Sequence, residues 1–113
     1  MNDFKTISES FADHVQRYIK HYNMSNEDVV KCHKMYDRQF GVTNKRVSVR
    51  WDTWTTNQNP NGEASVDYVE DYSFDIIDTF KTKFSKYELL YHVTFDKDGK
   101  IVSIYYDELS KSR

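Results

Sequence analysis

Apolar side chains recur at steps of three and four residues over the first part of the chain, between Phe4 and Tyr22. A single apolar stripe with this period is typical of an amphipathic helix, which we predict to begin after Asp3 and to end near Asn23. The same spacing continues after Ser25, whose hydroxyl is suited to cap a second helix. The apolar stripe of this second helix is formed by Val29, His33, Tyr36 and Phe40. Gly41 follows the stripe and is expected to end the helix.

From Lys45 onwards apolar positions alternate with polar ones, which is the pattern of strands with one buried face. Turn sequences at residues 59–62 and 96–99 divide this part of the chain into two hairpins. The last strand, residues 101–107, is apolar on both faces, which indicates a central strand or one covered on both sides. The sequence therefore predicts a single α+β domain over residues 1–113, with two N-terminal helices packed on a curved antiparallel sheet of about four strands.

Aromatic residues make up 16% of the 113 residues, although the hydrophobic share is only 38%. Because each large ring can bury roughly 150–250 Å², we expect an interior or a pocket lined by rings. The net charge of −2 comes from 16 basic and 18 acidic residues that form no basic stripe, so nucleic acid is not expected as a partner. No apolar run reaches the ~20 residues of a membrane span. The single cysteine, Cys32, fits a reducing compartment, and we expect the chain to be cytoplasmic.

The final hairpin, residues 91–107, contains the turn D-K-D-G-K-I and ends on aromatic and acidic residues. Together with the order of two helices followed by long strands, it resembles the NTF2-like superfamily, which has the cystatin-like fold. The resemblance implies a cone formed by helices and a curved sheet. Members of this superfamily include isomerases, dehydratases, cyclases and hydrolases, and others are non-catalytic dimerising or partner-binding modules, so the fold does not select a function.

Glu70 interrupts an otherwise apolar strand face, between Tyr68 and Tyr72. A carboxyl group among rings is poorly solvated, which favours its neutral form and suits a general acid or base. His92 is a further candidate catalytic residue, because an imidazole can exchange protons near neutral pH. Asp107 is another, because the resemblance to the NTF2-like superfamily implies that strand ends near the cone mouth often hold active groups. Each has a structural alternative: a bulge could turn Glu70 to solvent, and His92 and Asp107 could be ordinary interface or solvated groups.

We expect the ligand to be a small hydrophobic or aromatic molecule, bound without a cofactor or metal ion. Strict alternation places Trp54 on the face of Arg50 and Asp52, where an exposed tryptophan would mark a ligand or partner contact. The candidate ligand-binding residues are Trp51, Trp54, Tyr68, Tyr72, Tyr91 and Tyr106.

Two hypotheses for the function follow from these residues. The first is a small-molecule-binding cone, used by a cofactor-independent isomerase, dehydratase or cyclase with a buried carboxylate. The second is a non-catalytic dimerising or partner-binding module. We also expect a homodimer through the open face of the sheet, because Trp54, His92 and the last strand would lie there.

Overall fold

The structure is a computed structural model, and it describes residues 4–37, 42–78 and 81–112. Two short helices and six strands follow one another along the chain. They are helix α1 (Phe4–Ser10), strands β1 (His14–Tyr18) and β2 (His21–Ser25), helix α2 (Asn26–Asp37), and strands β3 (Val42–Gln58), β4 (Ala64–Asp78), β5 (Lys81–Phe95) and β6 (Ile101–Ser112).

All six strands form one sheet in the order β2-β1-β6-β5-β4-β3. Neighbouring strands are antiparallel, except that β1 runs parallel to β6. Strand β6 therefore lies inside the sheet, between β1 and β5, as its two apolar faces predicted. The sheet is mixed and has six strands where the sequence pattern suggested about four, and the two additional strands, β1 and β2, come from the N-terminal part of the chain.

The predicted fold class, two N-terminal helices on a four-stranded antiparallel sheet, is wrong. The first helix ends at Ser10, and the chain then forms the β1–β2 hairpin in place of the predicted helix up to Asn23. Ile19 and Asn23 have φ angles of 56° and 55°, which a right-handed helix does not accept. The hairpin is held against β6, because the Ile19 amide donates to the Ile104 carbonyl at 2.7 Å. This pairing joins residues far apart in sequence, so local periodicity could not reveal it.

The second helix was predicted correctly at its N-terminus. The hydroxyl of Ser25 accepts a hydrogen bond from the Asp28 amide at 3.1 Å, which is the expected cap. The side-chain amide of Asn26 donates to the carbonyls of Ser8 and Phe11, at 2.7 and 2.9 Å, and thereby fixes the end of α1 to the start of α2. The residues proposed to begin the first helix and to end the second one, Asp3 and Gly41, lie outside the described residues.

The hydrophobic core sits at the β1 end of the sheet. Val15 and Val29 are fully buried there, and Phe11, Tyr18 and Cys32 surround them. Within the described residues, α2 packs against α1, β1 and β2, whereas neither helix packs broadly on β3, β4 or β5. The long strands therefore extend beyond the core, and the molecule measures 52 × 32 × 22 Å.

Both predicted hairpin turns are confirmed. Gly62 and Gly99 adopt φ angles of 86° and 79°, a conformation that favours glycine over residues with a Cβ atom. The Gly99 amide donates to the Asp96 carbonyl at 3.0 Å, and the Gly62 amide donates to the Asn59 carbonyl at 3.2 Å. These turns set the registers of the strands that they join.

Across the described part of the chain, no helix is both long and apolar enough to cross a membrane.

Candidate functional site

Strands β4 and β5 pair without a register shift from Ala64 opposite Phe95 to Asp78 opposite Lys81. Because side chains alternate between the two faces of a sheet, this register places Tyr68, Glu70 and Tyr72 on the same face. We call this side the aromatic face and the opposite side the polar face. The cross-strand neighbours of Tyr68, Glu70 and Tyr72 on the aromatic face are Tyr91, Leu89 and Tyr87.

A continuous row of rings crosses four neighbouring strands on the aromatic face, and we call it the aromatic ladder. Its members, from β3 to β6, are Trp51, Trp54, Tyr68, Tyr91 and Tyr106. The two tryptophan rings, both on β3, have centroids 5.2 Å apart. The following centroids, from Trp54 to Tyr106, are 5.2, 5.5 and 5.3 Å apart, close to the roughly 4.8 Å spacing of paired strands. The Tyr68 and Tyr91 rings are nearly parallel, with an interplanar angle of 8°. The ladder ends at solvent, since Trp51 is 70% exposed and Trp54 is 42% exposed.

The alternation argument placed Trp54 on the wrong face. The pairing of β3 with β4 shifts register between Arg50 and Thr55, so the intervening residues form a bulge. Thr53 bridges this bulge, because its hydroxyl donates to the Arg50 carbonyl at 2.6 Å and accepts from the Val69 amide at 2.8 Å. The bulge turns Trp54 onto Tyr68, and sequence analysis had no signal for Thr53 beyond its high β-propensity.

Glu70 lies on the aromatic face and is half-buried. No bulge occurs in β4 at this position, so the structural alternative that turned Glu70 away from the rings does not apply. Burial raises the pKa of the Glu70 carboxyl, and a hydrogen bond donated by the Tyr91 hydroxyl opposes this rise. Burial and the nearby charge of Glu70 also raise the pKa of Tyr91, so its hydroxyl stays protonated and remains a donor.

A second group of rings lies on the other side of Glu70 along the strands, and we call it the second ring cluster. It consists of Tyr72, Phe74 and Tyr87, with centroid distances of 5.2, 5.7 and 6.5 Å between its pairs. The carboxyl group therefore lies between the aromatic ladder and the second ring cluster. Val49 and Leu89, its neighbours on β3 and β5, complete an apolar frame.

His92 lies on the polar face and joins three strands. Its Nδ1 atom is 2.7 Å from Asp67 Oδ1 on β4, and its Nε2 atom is 2.9 Å from Asp107 Oδ2 on β6. The ring stacks on Tyr105 at 4.7 Å, and the guanidinium of Arg17 lies 3.9 Å from the centre of that tyrosine ring. Burial lowers the pKa of His92, but the hydrogen bonds to Asp107 and Asp67 outweigh it, so the pKa is raised overall.

Arg50, also on the polar face, binds two carboxylates on strands β4 and β5. The guanidinium binds both carboxylate oxygens of Asp71, at 2.7 and 2.9 Å. It also lies 2.8 Å from Glu88, which accepts a further hydrogen bond from Ser110 at 2.6 Å. The hydrogen bond from Arg50 lowers the pKa of Asp71, and the bonds from Ser110 and Arg50 lower that of Glu88.

The structure thus divides the predicted catalytic residues between two faces. Glu70 lies among the rings, whereas His92 and Asp107 are hydrogen-bonded to each other on the opposite side of the sheet. The predicted ligand-binding residues, in contrast, all lie together on the aromatic face. They form the aromatic ladder, except for Tyr72, which belongs to the second ring cluster.

An open hollow of about 560 Å³ lies away from both ring groups, where α1 and α2 meet the β5–β6 turn. Its lining is largely polar and includes Ser8, Asp13, Asn26, Asp96 and Lys100. None of the candidate residues from the sequence lines it.

No protein-family model matches this chain, and no characterised protein matches it either.

The first prediction concerns His92 and pH. A raised pKa in the folded state means that the charged imidazole stabilises the fold fully below about pH 6.5, its ordinary pKa, and that this contribution is lost as pH rises through the folded pKa. Replacing His92 by Gln should therefore lower the free energy of unfolding on the order of 1 kcal/mol at pH 5.5, and by less at pH 9.

Urea denaturation of both proteins across this pH range measures the difference. Asp107→Asn, which removes one of the two carboxylates, should show a weaker version of the same pH dependence. A stability difference for His92→Gln that is the same at pH 5.5 and pH 9 would contradict the assignment.

Proposed function

We propose that this chain is a small-molecule-binding domain whose ligand lies against the aromatic ladder. The observation that carries the proposal is the unbroken row of five rings across four strands, which ends in two exposed tryptophans. Such a surface suits a flat apolar or aromatic ligand, because offset-stacked rings attract beyond the area that they bury.

Buried valines surround the ladder on both faces of the sheet. Val66 and Val93 are buried beside the rings on the aromatic face, Val69 is buried on the polar face, and the continuous pairing of β4 and β5 holds the rings in place. Within the described residues, the helices pack at the β1 and β2 end of the sheet, so the rings keep access to solvent. A surface that is already ordered needs less side-chain ordering when a ligand binds, which favours affinity.

Glu70 and Tyr91 would give this apolar surface its polar contacts. Binding sites of this kind combine many apolar contacts with a few placed polar groups that fix the orientation of the ligand. The Tyr91 ring belongs to the ladder, and its hydroxyl donates to the Glu70 carboxyl. A ligand that lies against Tyr68 and Tyr91 therefore reaches a carboxyl group at the edge of the stack.

A catalytic version of the proposal would depend on Glu70 alone. An isomerase, dehydratase or cyclase needs an acid or base at the bound ligand, and Glu70 is the candidate with a raised pKa on the aromatic face. His92 and Asp107 belong to the polar face and take no part in this version.

Membership of the NTF2-like superfamily also remains our proposal. The turn at Gly99 and the central position of β6 support this proposal, because both belong to the final hairpin that carries the resemblance. The proposal does not include the helix-covered cone on a four-stranded sheet.

A second candidate function is homodimerisation, favoured by the free edge of the sheet at β3. Val47 and Trp51 on this strand are 59% and 70% exposed. Antiparallel pairing of two β3 strands about Val49 would set Val47 opposite Trp51, and would set Arg46 opposite Asp52 of the other copy. Apolar and oppositely charged cross-strand pairs both stabilise such a contact.

The second prediction tests the ladder. Replacing Tyr68 by Leu removes the ring between Trp54 and Tyr91 while keeping an apolar side chain, and should weaken binding of a planar probe, 2-naphthol, by about tenfold. Because the chain contains two tryptophans and both belong to the ladder, quenching of tryptophan emission reports binding at this site.

Phe84→Leu is the matched control, since Phe84 is 45% exposed and alternation places it on the polar face. Its affinity for 2-naphthol should equal that of the parent. The proposal fails if Tyr68→Leu binds the probe as tightly as the parent, or if Phe84→Leu weakens binding equally.

The third prediction tests dimerisation. Sedimentation velocity at micromolar concentrations should show two chains for the parent, and Trp51→Ala should shift the equilibrium to the monomer because the replaced ring is mostly exposed in a single chain. A parent protein that remains monomeric across this range would remove the dimer hypothesis without affecting the ladder proposal.

A further inference from the structure

Glu70 is an acid without a cationic partner among the described residues. The ion pairs of the described chain place basic groups beside carboxylates elsewhere, such as Arg50 beside Asp71. In the part of the chain that the structure describes, the Tyr91 hydroxyl is the side-chain donor to the Glu70 carboxyl. A half-buried carboxylate in this setting carries a negative charge that neither a basic side chain nor full hydration balances.

Rings border Glu70 on both sides along the strands. Tyr68 and Tyr72 flank it along β4, and their partners across the sheet, Tyr91 and Tyr87, flank it along β5. The faces of Tyr68 and Tyr91 stack on neighbouring ladder rings, with interplanar angles of 19° between Trp54 and Tyr68 and 8° between Tyr68 and Tyr91. The surface that borders the carboxyl group is therefore apolar and gives Glu70 no positive charge. Burial, followed by the charge of Glu70, raises the pKa of Tyr68 and Tyr72, which is consistent with the carboxyl acting on rings on both sides.

These features favour a ligand of one charge. An anion would be repelled by Glu70, and a neutral ring compound would stack on the ladder while leaving the carboxylate unbalanced. A suitable ligand has to balance the charge of Glu70 and to contact the apolar surface around it. A cation whose charge is spread over methyl groups does both, since it pairs with Glu70 and contacts the rings with weakly hydrated, apolar surface.

We infer that the ring-flanked carboxyl of Glu70 on the aromatic face binds a compact organic cation of the quaternary ammonium class. This inference rests on the proposed ligand-binding function and specifies the chemical class of the ligand. Glu70 supplies the opposite charge, Tyr68 and Tyr91 supply the ring surface at the ladder, and Tyr72 and Tyr87 supply it on the other side.

The test compares choline with 3,3-dimethyl-1-butanol, in which carbon replaces the charged nitrogen. Titrations followed by amide chemical shifts and tryptophan emission at pH 8 should show choline binding about tenfold more tightly than the neutral probe. The affinity for choline should fall as the pH is lowered and the Glu70 carboxyl is protonated, whereas the affinity for the neutral probe should not.

Glu70→Gln keeps the shape of the side chain and a group that can accept from Tyr91, so it should fold and lose the preference for choline. Glu108→Gln is the matched control, because Glu108 is exposed and pairs with Leu89 on the same face. It should keep the preference. Unfolding midpoints of both variants confirm that they are folded.

The possible outcomes separate this inference from the proposed function. If 2-naphthol binds at the ladder but choline binds no better than its neutral analogue, the cation site is overturned and the ladder proposal stands. The same conclusion follows if Glu70→Gln retains the preference for choline. If neither 2-naphthol nor choline binds, both proposals are overturned.

Discussion

Strands β4 and β5 pair at every position from Ala64 opposite Phe95 to Asp78 opposite Lys81, and this register decides where each candidate residue lies. A slip of one residue would move Glu70 to the polar face and would separate Tyr68 from Tyr91. The aromatic ladder exists because rings at matching positions on neighbouring strands are held about one strand spacing apart. The position of Glu70 between two groups of rings follows from the same pairing.

The carboxylates on the two faces of the sheet have different hydrogen-bond partners. On the polar face, Arg50 binds Asp71 and Glu88, and His92 bridges Asp67 and Asp107, so each of these acids has a nitrogen donor. On the aromatic face, Glu70 receives a hydrogen bond from a neutral hydroxyl. The first arrangement joins neighbouring strands, whereas the second leaves Glu70 without a basic partner among the described residues.

Features with a local cause were predictable from the sequence. The alternation of apolar and polar residues in β4 predicted that Glu70 lies on the same face as Tyr68 and Tyr72. The turn sequences that contain glycine predicted the two hairpins. Both signals depend on only a few neighbouring residues. The cap of α2 by Ser25 is local in the same way. Of the candidate site itself, the sequence therefore located Glu70 and its neighbouring tyrosines on one face of β4.

Features that depend on distant pairing were not predictable. The β1–β2 hairpin was mistaken for a helix because its apolar residues, such as Val15 and Tyr18, have a spacing that short helices share. Its strand conformation depends on the parallel contact with β6, far along the chain. Trp54 was placed on the wrong face because one bulge, bridged by the Thr53 hydroxyl, breaks the alternation of β3.

The central claim is that Glu70 is an ionisable carboxyl held among rings, with no basic partner within residues 4–37, 42–78 and 81–112. The most direct test is a titration of its side-chain carboxyl carbon by NMR, with the signal assigned by its loss in Glu70→Gln. The account predicts a pKa above the ordinary glutamate value of about 4.3, because burial outweighs the hydrogen bond from Tyr91. A pKa at or below that value would show that the carboxylate is well solvated or paired with a cation, and would contradict the account.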